Sequence, residues 1–116
     1  MSNGRLDNYL RTFRRKTGLT QPDVAFLLCG RRCGTLISRH EKRRRQPSLD
    51  AALGYRALYG VPVEELFAGR NERRTREIKG RMLALQRRLE NETRKPGAGA
   101  REAAKKKARI ERQLQP

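Results

Sequence analysis

The stretch TQPDVAFLLCGRRCGTLISRHEKRRRQP, residues 20–47, constrains the fold of this chain more than any other. Thr20 is a capping residue type, and Pro22 falls in the first turn of the helix that follows, where a missing N–H costs nothing. Val24, Ala25, Leu27 and Leu28 recur at the spacing of one helical face, so a helix is expected over Gln21 to Leu28 with these four inward. The basic connection CGRRCG comes next, with Gly30 and Gly34 free to take positive φ or to allow close backbone approach. A second helix is expected from about Gly34 to Lys42, burying Ile37 and His40 and exposing Thr35, Leu36, Arg39 and Arg43. Two short helices joined by so tight a turn read as a helix-turn-helix.

The flanks extend the helical pattern. Leu6, Tyr9, Leu10 and Phe13 form one apolar face, which predicts a first helix over residues 5–17 stopped by Gly18. Arg11, Arg15 and Lys16 fall on its solvated side, while Arg14, beside Phe13, is placed to turn inward. QPSL at 46–49 is a loop and cap signal, with Ser48 opening a helix that carries Leu49, Ala52, Leu53, Ala57 and Leu58 inward until Gly60. Pro62 starts a last short helix, VEELF, whose Glu64 and Glu65 suit a helix N-terminus; Leu66 and Phe67 close the core. Gly69 is expected to end the compact unit, giving a first domain over 1–69.

Past that point the composition changes. Residues 70–116 hold sixteen Lys and Arg against six Asp and Glu, without an aromatic residue. Ile78, Met82, Leu85 and Leu89, spaced four, three and four, make a short a/d-type seam on a basic amphipathic helix over 70–94. KPGAGA at 95–100 is a flexible break, and 95–116 reads as a flexible Lys/Arg-rich tail with helix-forming composition. The whole chain of 116 residues carries a formal net charge of +17. Nucleic acid is the polyanion this charge fits first, an anionic membrane or ribosomal RNA after it. No apolar run approaches the eighteen or so residues that span a bilayer, and MSNGRLDNYLRTF lacks the apolar stretch of a secretory signal. With Cys29 and Cys33 too isolated to frame a disulfide fold, a cytoplasmic, nucleoid-associated location is expected and no membrane partner.

Four pieces of the compact unit arrive together in a familiar order: GLTQ at 18–21 followed by VAFLL, ISRHE at 37–41, QPSL at 46–49, and GVPVEELF at 60–67. Over residues 5–69 the chain resembles the Cro/repressor-like helix-turn-helix domains, often called the XRE family. The resemblance implies an all-α architecture, a five-helix lambda-repressor-like domain, here followed by a basic helical C-terminal extension. It implies that Gln21, at the start of helix two, contacts a phosphate, and that Arg14 and Glu41 form an ion pair tying helix one to the recognition helix. The connection between the two helices is slightly longer than the family's commonest form, so the chain is most similar to a longer-turn subgroup. Cys33 stands there where serine would cap better.

On this reading Thr35, Leu36 and Arg39 face base edges. Arginine bonds guanine O6 and N7 bidentately, threonine bonds several bases, and leucine covers a thymine methyl. Arg39 on phosphate alone, and Leu36 packed on a neighbouring helix, are the blander assignments. Gln21, Arg31, Arg32, Ser38, Lys42, Arg43, Arg44 and Arg45 are the expected contacts to the DNA backbone, placed at both ends of the recognition helix. The seam Ile78, Met82, Leu85, Leu89 is read as a dimerisation helix, the alternatives being a helix folded back on its own domain or a lone amphipathic helix. Cys29, Cys33 and His40 do not have the spacing of a metal site, so no metal, no cofactor and no enzyme activity are expected. The function expected is a sequence-specific regulator of transcription, a bacterial or phage repressor binding an inverted repeat in double-stranded DNA as a homodimer. The alternative is a basic structural or RNA-binding ribonucleoprotein component, and the C-terminal extension is open to an RNA or protein partner.

Overall fold

The structure, a computed structural model, describes residues 5–115; the outermost parts of the expected spans 1–69 and 95–116, residues 1–4 and 116, lie outside them. The described residues form seven helices and no strand: α1 (Leu10–Thr17), α2 (Gln21–Cys29), α3 (Thr35–Glu41), α4 (Leu49–Tyr59), α5 (Val63–Leu66), α6 (Ala68–Thr93) and α7 (Ala98–Leu114). The fold is all-α. No helix among the described residues is long and apolar enough to cross a membrane. The chain divides into two compact units, the first ending at Glu72 and the second beginning at Arg73.

Local signals account for most helix ends in the first unit. Thr20 and Asp23 close a full capping box on α2, the Asp23 amide donating to Thr20 Oγ1 at 3.2 Å and the Thr20 amide to Asp23 Oδ2 at 3.0 Å. Ser48 Oγ accepts from the Ala51 amide at the start of α4. Gly18 and Gly60 end α1 and α4 in the left-handed region. The start of α1 differs from the expected residue 5. Residues 5–9 are not helical because their polar groups are used elsewhere. The Tyr9 amide donates to the Leu66 carbonyl at 2.7 Å, Asn8 Nδ2 donates to the His40 carbonyl at 3.0 Å, and Asn8 Oδ1 accepts from the Leu10 amide at 3.2 Å. Leu6, expected on the apolar face, is exposed in consequence.

The core of this unit is Leu10, Val24, Ala25, Ile37, Tyr55, Leu66 and Phe67, with Phe13, Leu28, Ala51, Ala52, Leu58 and Tyr59 packed around it. On α2, Leu27 turns out of the core and is 57% exposed, since Val24, Ala25 and Leu28 define a face that Leu27 only flanks. On α4 the buried stripe also departs from the aliphatic one. Leu49 is 74% exposed, Leu53 and Ala57 are exposed as well, and the face inward is Ala51, Ala52, Tyr55, Leu58 and Tyr59. Tyrosine rings fill the volume that leucines were expected to fill. Tyr55 and Tyr59 stack at 6.1 Å, and Phe13 meets Tyr59 at 6.2 Å.

Gly69 does not end the unit; it lies inside the first turn of α6. Its amide donates to the Leu6 carbonyl at 2.9 Å, and a Cβ there would collide with the backbone carbonyl oxygens of Arg5 and Leu6. The glycine is needed for close approach of the 5–9 segment, not for a turn. Arg5 adds an ion pair to Glu72 at 3.4 Å.

In the second unit α7 returns along α6 as a hairpin. Leu89 and Ala103 are buried, at 3% and 2% exposure. Gln86 Nε2 donates to Glu111 Oε1 at 3.1 Å, and Lys107 Nζ lies 3.7 Å from Glu90 and 3.5 Å from Glu111. The segment read as a Lys/Arg-rich tail with helix-forming composition carries a helix of 17 residues. The seam is divided by this packing. Leu89 is covered within the chain and Met82 is half-buried, while Ile78 and Leu85 stay exposed.

Two outcomes follow. Gly69→Ala, which forces a methyl against backbone that cannot yield, is expected to destabilise the first unit by about 1–3 kcal/mol. Gly80→Ala, in the same helix with open space around it, is expected to add about 0.5–1 kcal/mol; equal effects in thermal unfolding would contradict the close approach. The second outcome concerns His40, the sole histidine, which is buried with its Nδ1 2.8 Å from Tyr55 Oη. Burial first, and the charge of Arg45 second, hold its pKa below the ordinary value. The unfolded chain therefore binds a proton that the folded chain refuses. That stability is fully present above about pH 6.5 and is lost as pH falls toward the folded pKa, with a limiting slope of about 1.4 kcal/mol per pH unit. Urea unfolding between about pH 5 and pH 8 should show this slope, and His40→Gln should remove it. Parallel profiles for the two proteins would refute the assignment.

Candidate nucleic-acid interface

The exposed side of α3 is held by contacts on its opposite side. Ile37 and His40 are buried in the core. Next to them Glu41, its side chain 2% exposed, takes Arg14 Nε on Oε2 at 2.7 Å and Arg14 Nη2 on Oε1 at 3.1 Å. Gln21 Nε2 donates to the same Oε1 at 3.2 Å, and Arg14 Nη1 donates to the Leu19 carbonyl at 3.2 Å. Hydrogen bonding to Glu41 raises the Arg14 pKa further above its ordinary value, against the opposing effect of burial. Helices α1, α2 and α3 meet at this carboxylate.

Both ends of α3 are unusual. Gly34 is the N-cap and offers no side chain to the free amides. A Cβ on it would come within 3.0 Å of Gln21 Cβ and 3.2 Å of Pro22 Cδ, so α3 starts directly against the first turn of α2. Cys33 precedes the cap, with its Sγ 3.6 Å from Thr35 Oγ1. Hydrogen bonds from the Thr35 side chain and backbone, then the Arg39 charge, lower the Cys33 pKa. At the other end Arg43 takes a φ of 62°, in the left-handed region. The Arg43 amide donates to the His40 carbonyl at 3.2 Å and the Arg44 amide to the Arg39 carbonyl at 2.9 Å, a Schellman closure built without glycine.

What remains exposed is a shallow cleft lined by Gln21, Gly34, Thr35, Ser38, Arg39, Lys42 and Arg44. It unites two of the three expected base readers with four of the expected backbone contacts. Leu36, the third reader, is half-buried on the other flank of α3, lining a separate depression with Leu28, Cys29, His40 and Arg45. Arg32 is drawn to Asp23 at 3.0 Å and Arg43 to Asp7 at 3.2 Å. Arg31, Arg39, Lys42, Arg44 and Arg45 have no carboxylate partner among the described residues. Hydrogen bonds from Thr20 keep the Asp23 carboxyl below its usual range, so its charge is available to Arg32.

Asp7, Asp23 and Tyr55 shape this site without having been singled out from the sequence. Asp23 had a local signal, being the third residue after the Thr20 cap. Asp7 and Tyr55 had none, because their partners lie 36 and 15 residues away. Among the described residues no three His, Cys, Asp or Glu side chains stand together as a group that could hold a metal ion. The cleft offers cationic and hydroxyl donors on an exposed helix, which is the chemistry of phosphate and base-edge contacts. Comparison with models of known families, with characterised proteins and with solved structures returns no match.

Removing Arg14 alone would leave Glu41 buried with Gln21 as its remaining side-chain partner. Arg14→Ala is expected to cost about 3–5 kcal/mol in urea unfolding, whereas Arg14→Met with Glu41→Leu should recover most of that loss. A double variant as unstable as the single one would show that the pair supplies stability and not only neutralisation.

Proposed function

We propose that α1 to α5 form a lambda-repressor-like helix-turn-helix domain of the Cro/repressor-like type, with α2 and α3 as the motif and α3 as the recognition helix. The chain is then a sequence-specific double-stranded DNA-binding regulator, a repressor that occupies an inverted repeat as a dimer. The observation that carries this reading is the cleft itself. Thr35, Ser38, Arg39, Lys42 and Arg44 share one exposed face, and its three cations have no carboxylate partner among the described residues. An unpaired cation on a solvent-facing helix can neutralise a phosphate and release the counterions condensed on the duplex.

Roles within the face differ by chemistry. Arg39, midway along α3, is assigned to guanine, and Thr35, one turn earlier, to a neighbouring base. Ser38, Lys42, Arg44 and Gln21 are assigned to phosphates on either side. Leu36 reaches the groove only from the flank, where it would cover a thymine methyl. For dimerisation the exposed Ile78 and Leu85 are the available part of the seam, Leu89 being buried within the chain. A two-fold dimer would place two recognition helices about one turn of duplex apart, which accounts for an inverted repeat.

Selection of bound duplexes from a random pool tests the reading. A palindromic consensus is expected. Arg39→Ala should cost about 1–3 kcal/mol and relax preference at one base position, while Arg44→Ala should weaken all duplexes alike and reduce the salt slope by about one. Uniform affinity across the pool, or a structured RNA that outcompetes every duplex, would replace this reading with that of a ribonucleoprotein component.

A further inference from the structure

We propose that the hairpin of α6 and α7 is a second duplex-binding surface, which takes DNA phosphates on the outer face of α7 and packs more tightly when they are bound. The proposal rests on the duplex-binding reading above only in its choice of DNA as the polyanion.

Charge is sorted within this hairpin. Residues 73–116 hold fifteen Lys and Arg against five Glu. Glu90 and Glu111, partly exposed at the border of the two helices, share Lys107 at 3.7 and 3.5 Å. The side of α7 facing α6 is marked by Ala100, Ala103, Lys107, Ile110 and Leu114, each buried or half-buried at spacings of three and four. The opposite side carries Arg101, Lys105, Arg109 and Arg112, all exposed, over about 16 Å of helix. Of these only Lys105 has a carboxylate neighbour among the described residues, Glu102 at 3.6 Å, and that pair is well exposed and weak.

The packing that holds α7 is slight. Leu89 and Ala103 are the only fully buried side chains among the described residues of this unit. Against so small a core stands the mutual repulsion of its cations, which opposes the compact state. Phosphates laid along the outer face of α7 remove that repulsion and gain the entropy of released counterions. Ligand binding and hairpin packing are thereby linked, each favouring the other. Because the hairpin is covalently joined to the first unit, it meets the same duplex at high effective concentration and adds affinity without sequence preference.

The test uses the full-length chain and the variant R101Q/K105Q/R109Q/R112Q, which keeps helix-forming side chains. Binding is measured over a salt series on a selected duplex, a random duplex and a structured RNA. Amide hydrogen exchange in α7 is followed with and without the random duplex. The wild-type α7 is expected to gain protection on duplex binding. In the variant the slope of log K against log salt should become shallower by about 3 on both duplexes, four phosphates at about 0.9 each being the ceiling, with their affinity ratio unchanged. Unliganded α7 should exchange more slowly in the variant than in the wild type, because its repulsion is reduced. That combination cannot come from an unfolded hairpin. An unchanged slope, faster exchange in the variant, or a loss confined to RNA would each overturn the proposal. A shallower slope together with no sequence preference in either protein would sustain it and would refute the α3 reading instead.

Discussion

The carboxylate of Glu41 is the point on which the first unit depends. It is almost fully withdrawn from water, and a lone charge there would cost several kcal/mol. Arg14 answers it from α1 through two hydrogen bonds, and Gln21 answers it from the first residue of α2. The position of α3 is therefore set by directional bonds to two other helices as well as by apolar contact. Tyr59 lies within electrostatic reach of the pair. Its hydroxyl is buried without a hydrogen-bond partner among the described residues, and burial, followed by the charge of Glu41, pushes its pKa up to about 12. Tyr59 stacks on Tyr55, and Tyr55 meets His40, the residue before Glu41 on α3. The last turn of α3 is thus gripped by the ion pair on one side and the aromatic stack on the other, while the rest of its surface stays open.

The distribution of carboxylates decides which of the many cations remain available. Arg32 and Arg43 flank α3 and belong to the same basic runs as Arg31 and Arg44, yet Asp23 and Asp7 hold them aside. These surface pairs contribute little to stability. Their effect is to bias two long side chains away from the cleft and to leave Arg39, Lys42 and Arg44 as its unpaired charges. Arg43 does further work through its backbone. Its left-handed φ closes α3 and turns Arg44 back onto the lining of the cleft. A non-glycine residue in that conformation costs of order 1 kcal/mol, a strain of the kind that surrounding structure maintains at functional positions.

Much of this was legible in residue order because it is local. Thr20, Ser48, Gly18 and Gly60 act on their own neighbours, and caps and left-handed stops are short-range effects. Ile37 and His40 followed from helical period alone. Several misplacements involve partners distant in sequence, and others a misjudged face. Asn8 and Tyr9 look like helix until the carbonyls of His40 and Leu66 claim their donors. Gly69 looks like a stop until residues 5 and 6 pass over it. Tyr55 and Tyr59 lost to Leu49 and Leu53 because a period that counts only aliphatic residues overlooks an aromatic face. In α7 the heptad of Ala100, Ala103, Lys107, Ile110 and Leu114 has one position held by lysine and two by alanine. Its apolar signal is weak until Glu90 and Glu111 are seen to neutralise the lysine.

The connection between α2 and α3 shows how one contact organises its neighbours. Gly30 ends α2 in the left-handed region, and Arg31, Arg32 and Cys33 then carry the chain to Gly34. A connection rich in glycine would ordinarily let the second helix drift from the first. Here it does not, because Gly34 packs closely on Gln21 and Pro22, where an added Cβ would sit 3.0 Å from Gln21 Cβ and 3.2 Å from Pro22 Cδ. A serine at that position would cap α3, at a gain of about 1 kcal/mol, but its Cβ would require Gln21 and Pro22 to give way by a few tenths of an ångström. The missing cap is therefore a consequence of the close approach. That approach brings Gln21 within reach of Glu41 and places it beside Thr35 and Arg39 at the same cleft. The connection thus leaves Arg31, Arg32 and Cys33 exposed while the two helix starts it brings together stay in contact.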